Sequence, residues 1–313
     1  MQTVESKDIL TECCFICGSN LWKDVFSSKE YPEFVYKRCK QCKFIQLHPV
    51  PSDDQLRTFY EKAWSNSARG AYKDRYLSLK VSNEKKRYLN WYYTELSTIE
   101  NMLQSNAREK INFLDVGVGA GYMMAAVSEF GWNCVGVDIS ETGISNLKGQ
   151  GFNVIQGDFC SDIEGLNADS FNVIHMNHVL EHFRDPNIAL SKVKSLLKPG
   201  GIIWVGVPSI DELFFSLTYR PWNILYKLSG SWNGLHPFFW CFASIAHISC
   251  YSAELLKRHI EKHGFKVIYS KSSLPRFTRT QTWLKHLRSL AMTPFYLITR
   301  SGWEVKVLAQ KPK

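Results

Sequence analysis

Short apolar runs and amphipathic segments alternate regularly along the chain from Ile111 onward. Apolar runs of about four to eight residues bounded by turn residues are typical of strands buried on both faces, whereas longer stretches with a 3.6-residue period favour helices. This alternation predicts a parallel sheet with helices on both faces. We expect strands at 111–116, 133–138, 152–156, 171–176, 201–207, 265–271 and 304–310, with helices in stretches such as 121–130 and 189–197.

The stretch Pro49-Val50-Pro51 marks the first boundary, because proline is poorly accommodated inside strands and helices. Ser52 and Asp53 are favourable N-caps for a helix that begins near Asp54. Segments rich in lysine, tyrosine and leucine predict helices over 54–105, and an aromatic-rich insertion interrupts the later part of the chain. We therefore expect a small unit at residues 1–50, a helical connector or cap at 51–108, and an α/β core at 109–313 with a lid insertion at about 209–245.

The composition is that of an ordinary folded protein of 313 residues, with 45% hydrophobic and 21% charged residues. Residues 1–11 lack the apolar stretch of a signal peptide. The apolar window 235–251 is interrupted and shorter than the about 20 residues that span a bilayer, so we expect a cytoplasmic protein. The net charge of +9 admits nucleic acid, an anionic membrane surface or phosphorylated small molecules as partners.

Two Cys-x-x-Cys pairs stand out among nine cysteines, an odd number that does not fit a secreted disulfide pattern. Cys14 and Cys17 are separated by 21 residues from Cys39 and Cys42. Four thiolates match the tetrahedral preference of zinc, and Cys14 is preferred to Cys13 because it gives the two-residue spacing. Four buried or idle thiols are the alternative. A site of four thiolates leaves no open coordination position, which indicates a structural zinc.

A glycine-rich loop follows the first expected core strand. Asp115 is followed by Gly117, Gly119 and Gly121 before a helix opens at Tyr122. Glycines allow a tight strand-to-helix turn and a close approach of the backbone to a ligand. A dinucleotide-binding loop would prefer glycine at 122, and the carboxylate of Asp115 suits the ammonium group of a methionine moiety better than a pyrophosphate.

Two further carboxylates follow the next two expected strands. Asp138 lies 23 residues after Asp115 and could accept hydrogen bonds from both hydroxyls of a ribose. Asp158 could bind an adenine amino group, while Phe159 or Ile139 packs on the ring. Each aspartate alone could be a strand-end cap, but three of them in consecutive turns beside a glycine loop favour a cofactor site.

Together these stretches resemble the motifs of class I S-adenosylmethionine-dependent methyltransferases. The resemblance covers about 110–210 and is carried by the segments 114–121, 136–138, 157–158, 179–186 and 197–201. It implies S-adenosylmethionine as the cofactor and a Rossmann-like, doubly wound α/β sheet of seven strands, the last one antiparallel. Val118 stands where the family usually has cysteine. The cofactor-binding residues that we expect are Asp115, Gly117, Gly119, Gly121, Tyr122, Asp138, Ile139, Asp158, Phe159 and Asn177.

The cysteine-rich segment resembles the zinc ribbon that is fused to many bacterial methyltransferases. This resemblance runs from Arg38 through Cys42 and the two prolines to Phe59 and Tyr60. It implies a role in polysaccharide, unusual-sugar or natural-product pathways.

Candidate catalytic side chains follow the fourth expected strand, at the sheet edge where open α/β sheets bind ligands. His178, Glu181 and His182 stand at i, i+3 and i+4, so a helix would place them on one face. They could be structural, one histidine could be a general base, or two histidines and a carboxylate could hold a divalent metal. The segment resembles the Glu-x-x-Glu-His site of quinone-pathway O-methyltransferases, with His178 in place of the first glutamate.

His247 is a separate candidate. The stretch from His247 to Tyr251-Ser252 resembles the family's His-x-x-x-Phe/Tyr-Ser segment, which borders the substrate pocket. The alternative is a structural histidine.

The aromatic insertion at about 209–245 predicts a pocket for a sugar or apolar acceptor, or a helical lid with its own small core. Shallow membrane contact, helped by the cationic segment 271–300 with Lys285 and Arg288, is a further alternative. We expect methyl transfer to a hydroxyl of a sugar, a nucleotide-linked sugar or a related bacterial metabolite. The alternative is an RNA methyltransferase that grips RNA through the ribbon and its basic charge, but the dispersed basic residues argue against nucleic acid.

Overall fold

The computed structural model describes residues 12–27, 31–65, 83–103, 110–210, 245–273 and 304–313, together with single positions between these ranges. The expected lid at about 209–245 lies almost entirely outside the described residues, as does the cationic segment beyond 273. Among the helices that are described, none has the length and apolar character needed to cross a membrane.

Strands and helices alternate along the chain as the sequence predicts. The N-terminal elements are β1 (Trp22–Ser27), β2 (Val35–Cys39), β3 (Ile45–His48), α1 (Asp53–Ser65) and α2 (Asn83–Leu103). The core elements are β4 (Asn112–Val116), α3 (Tyr122–Glu129), β5 (Asn133–Asp138), α4 (Glu141–Gly149), β6 (Val154–Gln156), β7 (Phe171–Asn177), α5 (Pro186–Leu196), β8 (Leu197–Pro208), β9 (Ser249–Cys250), α6 (Ala253–Lys262), β10 (Lys266–Ser273) and β11 (Glu304–Gln310).

The core sheet has seven strands in the order β10-β11-β8-β7-β4-β5-β6. Neighbouring strands from β8 to β6 are parallel, whereas β11 pairs antiparallel with both β10 and β8. The expected doubly wound sheet with an antiparallel last strand is therefore confirmed. The strand β8 begins earlier than the expected residue 201, because Gly200 and Gly201 already exchange backbone hydrogen bonds of 3.0 and 2.9 Å with Lys311, just beyond β11.

Alternate side chains of the central strands pack into two apolar layers, one on each face of the sheet. On one face, Trp204 of β8 is buried with Leu96 and Ile99 of α2. On the other face, Val205 of β8 is buried with Leu190 of α5 and with residues of α6. Each large apolar side chain fully removed from water contributes about 1.5–3 kcal/mol, so these layers are the main stabilising feature of the core.

A second sheet, of four strands in the order β1-β2-β3-β9, joins the N-terminal unit to the core. In it, Ile45 and Gln46 of β3 pair antiparallel with Cys250 and Ser249 of β9. The strand β9 lies only three residues before α6, so it belongs by sequence to the core. The expected boundary at residue 50 therefore does not separate the two sheets by sequence, because the N-terminal sheet includes β9 from the core segment.

Hydrogen bonds of the fully buried His259 connect α6 to α5. The Tyr251 hydroxyl lies 3.1 Å from Nδ1 of His259, and Nε2 of His259 lies 3.1 Å from Oδ1 of Asn187. His263 also places its Nε2 3.0 Å from that oxygen. An amide oxygen only accepts, so both rings donate through Nε2, and His259 is neutral with Nδ1 accepting. Burial lowers the pKa of His259 to about 3.

We predict that His259 makes the fold less stable in acid. An unfolded histidine binds its proton below about pH 6.5, whereas the folded His259 does so only near its lowered pKa, so stability is lost as the pH falls between these values. By pH 4 the loss from this group is about 3 kcal/mol. Urea unfolding at pH 7 and pH 4 should show a smaller pH dependence for His259→Gln than for the wild type. An equal dependence would contradict the assignment.

Candidate functional site

The glycine loop between β4 and α3 has the conformation that its sequence predicts. Gly117, Gly119 and Gly121 have φ angles of 71°, 52° and 74°, the left-handed region that L side chains avoid. The Gly117 amide donates to Val137 at 2.7 Å, and a Cβ at Gly117 would lie 2.4 Å from a methyl group of Val179. Tyr122 opens α3 and packs half-buried against the core. The loop therefore needs glycine both for its conformation and for its close packing.

Asp138 ends β5 directly beside this loop. Its Oδ2 accepts a hydrogen bond of 3.2 Å from the Gly119 amide, and its Oδ1 accepts one of 2.9 Å from the Ser140 amide. Burial raises the pKa of Asp138, and the backbone hydrogen bonds oppose that rise. The next side chain, Ile139, is 53% exposed. A carboxylate oxygen can accept more than one hydrogen bond, so Asp138 retains capacity for ribose hydroxyls beside the exposed side chain of Ile139.

Asp158 and Phe159 have different surroundings. The exposed Asp158 accepts a hydrogen bond of 2.9 Å from the Cys160 amide and so closes a tight turn. Phe159 is buried, with its ring centroid 6.1 Å from that of Phe183. Because the Phe159 ring is already packed, Ile139 is the better placed of the two apolar candidates for an adenine ring.

Asp115 is buried at the end of β4 and pairs with a residue that the sequence did not single out. Its Oδ1 lies 2.7 Å from Nδ1 of His175, which stands directly opposite on β7. Burial raises the pKa of Asp115, and the His175 hydrogen bond opposes that rise. The partnership becomes evident only once β4 and β7 are known to be neighbours.

The candidate catalytic residues follow β7 in a sharp turn and not in an α-helix. His178 has a φ of 57° and its amide donates to the carbonyl of Gly206 at 2.8 Å, so the chain turns before the short 3₁₀ helix Leu180–His182. Nδ1 of His178 lies 3.5 Å from Oε1 of Glu181, and Nε2 of His182 lies 3.8 Å from the same oxygen. Asn177, just before the turn, directs its Oδ1 towards Gly206, where a Cβ would lie 2.2 Å away. The side chains of His178, Glu181 and His182 thus converge through a turn and not through a shared helical face.

Glu181 is the centre of this cluster. It is 1% exposed, and neither carboxylate oxygen has a hydrogen-bond partner among the described residues. Burial alone would raise its pKa, but His178, His182 and His247 outweigh burial and lower it. A buried carboxylate that stays charged beside histidines can stabilise a protonated imidazole.

The two neighbouring histidines differ in access and basicity. Burial acts to lower the pKa of His178, but the nearby Glu181 carboxylate, with the charge of Glu304, outweighs burial and raises the pKa. Burial lowers the pKa of His182. The side chain of His178 is 38% exposed and that of His182 is 26% exposed. His178 is therefore the more accessible and the more basic of the pair.

The structure brings His247 into the same site. Its ring centroid lies 4.8 Å from that of His182, edge to face. Glu181, His182 and His247 each offer one potential metal-binding atom, and these three atoms lie within 4.8 Å of one another. This spacing could hold a metal ion. Two candidates that were separate in the sequence are one cluster in space.

Tyr60 is a site residue that the sequence resemblance included but assigned no role. Its hydroxyl lies 3.1 Å from Nδ1 of His182. Burial raises the pKa of Tyr60, as do the negative charges of Glu181 and Asp138. The helix α1 is fixed here because Asp53, at its start, accepts hydrogen bonds from the Arg184 guanidinium at 3.0 Å through both oxygens.

The four expected cysteines form one cluster. The Sγ atoms of Cys14 and Cys42 are 3.4 Å apart, those of Cys17 and Cys39 are 3.5 Å apart, and all four lie within 4.8 Å of one another. A tetrahedral zinc with bonds of about 2.3 Å would separate its sulfur ligands by roughly 3.8 Å. Cys13 is exposed and lies outside the cluster, as expected.

The two cysteine pairs share one turn geometry. The amide of Gly18 donates to Cys14 at 2.8 Å, and the amide of Lys43 donates to Cys39 at 3.0 Å. Gly18 and Lys43 have nearly equal φ angles of 73° and 71°. These matched turns direct both pairs of thiols to one point, so the unit fits a zinc ribbon.

This sheet order, with its glycine loop and the carboxylate that ends the next strand, is the arrangement expected of class I S-adenosylmethionine-dependent methyltransferases. Residues 86–270 match the family described as "Methyltransferase domain", and the chain belongs to this family. The expected class is therefore confirmed.

Curated relatives match part of the chain. A ubiquinone biosynthesis O-methyltransferase of Coxiella burnetii is 34% identical over 125 residues, which are 38% of this chain and 48% of that protein. A protein of the same name from Mesorhizobium japonicum is 30% identical over 137 residues, 42% of this chain and 53% of that protein. The chain thus spans about half the length of the curated relatives it matches.

The fold is also found in solved structures. A chain in the complex between the Haloferax volcanii Trm112 methyltransferase activator and a methyltransferase superposes with a TM-score of 0.52 at 18% identity, covering 82% of this chain and 98% of that one. At this identity the similarity shows the fold alone.

We predict that Gly117→Ala is much more damaging than Gly131→Ala. Both glycines have left-handed φ angles, but an added Cβ meets Val179 at position 117 and nothing within 4 Å at position 131. The backbone strain costs about 1–2 kcal/mol at each position, and overpacking adds about 1–3 kcal/mol at Gly117 alone. Urea unfolding of both variants measures the difference. Equal losses would show that the loop can move away from Val179.

Proposed function

We propose that the protein transfers a methyl group from S-adenosylmethionine to a hydroxyl group of a small-molecule acceptor. The observation that carries this proposal is the convergence of two groups of residues at one edge of the sheet. The glycine loop and Asp138 follow β4 and β5, and the histidine–glutamate cluster follows β7, which is the other neighbour of β4. Parallel strands end at the same edge, which is where such sheets bind their ligands.

The residues at this edge fit the proposed cofactor. The left-handed glycines of the loop let the backbone approach a ligand closely, and Asp138 has hydrogen-bonding capacity left for a ribose. The exposed side chains of Ile139 and Asp158 stand nearby for the adenine, whereas Phe159 would support this region from the core. Asp115, Tyr122 and Asn177 border the methionine end. When bound, S-adenosylmethionine supplies a methyl group on a positively charged sulfur.

In the proposed reaction, His178 accepts the acceptor's hydroxyl proton as the oxygen forms its bond to the methyl carbon. The bond between that carbon and sulfur breaks, and sulfur keeps the electron pair. The imidazolium is stabilised by the carboxylates of Glu181 and Glu304, which lie 3.5 and 3.7 Å from its two nitrogens. His182 has one nitrogen beside Tyr60, so its expected role is to hold Glu181 and His247 in place.

A divalent cation is the second candidate for this site. Glu181, His182 and His247 together offer the donor atoms that such ions take, and the Glu181 carboxylate is buried without a hydrogen-bond partner among the described residues. Metal analysis separates the two proposals. A metal equivalent that is lost in His247→Asn favours the cation, whereas unchanged metal content favours the general base.

Several observations support a small-molecule hydroxyl as the acceptor. The curated relatives are named O-methyltransferases. In sequence, the cysteine-rich segment resembles the ribbons fused to methyltransferases of sugar and natural-product pathways. A sugar, a nucleotide-linked sugar or a related bacterial metabolite is the acceptor we propose.

Incubation with S-adenosylmethionine carrying an isotopically labelled methyl group tests this function. Purified protein would be mixed with bacterial extract separated into polar metabolites, lipids, RNA and protein. Label in the polar metabolites supports the proposal and gives a product to identify by mass. Label in RNA alone would overturn it in favour of an RNA methyltransferase, and label in lipids would place the acceptor at a membrane.

We predict that His178→Asn lowers kcat by about a hundredfold or more and leaves the Kd for S-adenosylmethionine unchanged. Asparagine tolerates the left-handed φ of this position but cannot accept the proton, so the turn is kept while the base is lost. The acceptor found in the labelling experiment provides the assay, and calorimetry gives the Kd. His263→Asn is the control, because His263 lies at the C-terminal end of α6 and contacts Asn187 of α5. Retained activity in His178→Asn would exclude His178 as the base.

We also propose that the four cysteines hold a structural zinc, and predict about one zinc ion per chain from this site. Cys39→Ser should release the ion and destabilise the ribbon, because the remaining thiolates no longer complete a tetrahedron. Cys13→Ser is the matched control and should keep the ion. Elemental analysis of the purified variants is the measurement, and equal zinc in both would show that Cys39 is not a ligand.

A further inference from the structure

The ribbon sheet reaches the segment that carries His247. The strand β3 pairs with β9. The Leu47 amide of β3 also donates a hydrogen bond of 2.9 Å to the carbonyl of Ile248, the residue just before β9. The ribbon therefore makes regular backbone contacts with residues next to the candidate catalytic histidine.

A side chain of the ribbon holds the preceding peptide group. Tyr36 is 3% exposed, and its hydroxyl donates a hydrogen bond of 2.9 Å to the carbonyl of His247. Tyr36 of β2 stands directly opposite Leu47 of β3 in the ribbon sheet. Two facing ribbon residues thus hold the consecutive carbonyls of His247 and Ile248.

The turn that carries Glu181 and His182 contacts the same segment from its other side. The Ile248 amide donates to the carbonyl of Glu181 at 2.9 Å, and the His247 ring packs edge to face on His182. The backbone at 247–248 is therefore held between the ribbon and the 3₁₀ turn, and the position of the His247 ring follows from both.

These bonds are not needed simply to attach the ribbon to the core. The Lys262 ammonium donates to the carbonyl of Phe15 at 3.0 Å, and the rings of Phe44 and Tyr251 pack with centroids 5.2 Å apart. Because the ribbon is attached elsewhere, the hydrogen bond from Tyr36 has a local effect on the position of His247.

We propose that Tyr36 is a positioning residue that holds His247 against His182 and Glu181, and that the ribbon supports this part of the active site. The proposal rests on the proposed function of the histidine cluster. Cys39 ends the strand that carries Tyr36, so the four-cysteine cluster fixes that strand at its end.

The test compares Tyr36→Phe with Tyr269→Phe in the full-length, zinc-loaded protein. Phenylalanine keeps the buried ring and removes only the hydroxyl, while Tyr269 is 36% exposed on the edge strand β10. Nuclear magnetic resonance of ring-labelled histidines at one fixed pH reports on the cluster. In Tyr36→Phe we expect the resonances of His182 and His247 to shift, because their rings are stacked edge to face, while those of His175 and His259 stay in place.

Calorimetry with S-adenosylmethionine and the methyl-transfer assay complete the test. We expect an unchanged Kd and about a tenfold lower kcat in Tyr36→Phe, because a small displacement of a reacting geometry slows the step without weakening binding. Unshifted His182 and His247 resonances, or equal shifts of all histidines, would overturn the positioning role. The resonances require no acceptor, so a failed search for an acceptor would count against the proposed function alone.

Discussion

The hydrogen bond between Asp115 and His175 fixes the arrangement at the centre of the sheet. A carboxylate buried this deeply is costly unless it is paired, so β4 and β7 are held in the one register that places these residues opposite each other. Two residues beyond Asp115 the glycine loop begins, and three residues beyond His175 the chain turns at His178. The close packing of Gly117 on Val179 requires this register, so one buried pair keeps the glycine loop and the turn after β7 in their relative positions.

The ionisable residues of the candidate site come from separate parts of the chain. The turn after β7 provides a buried glutamate and two histidines, the start of β11 provides Glu304, and the segment before β9 provides His247. Helix α1 adds the hydroxyl of Tyr60. Opposite charges lie close enough to keep Glu181 ionised in a buried position. A general base needs this kind of environment, because the charge formed by proton transfer must be stabilised where water is scarce.

Local sequence patterns were sufficient for the sheet, the glycine loop and the cysteine cluster, because each depends on neighbours in the chain. They were insufficient for Tyr60 and His175, whose partners come from strands and helices far away in sequence. The shared helical face considered for His178, Glu181 and His182 is replaced by a turn, since the left-handed φ of His178 stops a helix from forming there. The helix α5 begins before residue 189, because the Asp185 side chain accepts from the Asn187 amide and Pro186 suits the first turn. The expected domain limits and site roles remain predictions.

The pairing of the ribbon with the segment around β9 also constrains how the chain folds while it is being made. Tyr36 and the carbonyl it binds are 211 residues apart. A ribosome adding about 5–20 residues per second takes roughly 10–40 seconds to cover that interval. During this time the cysteine unit can fold, but the outer edge of β3 has no partner. An open strand edge can pair with other chains, so the ribbon must wait for its last strand or be shielded until that strand emerges.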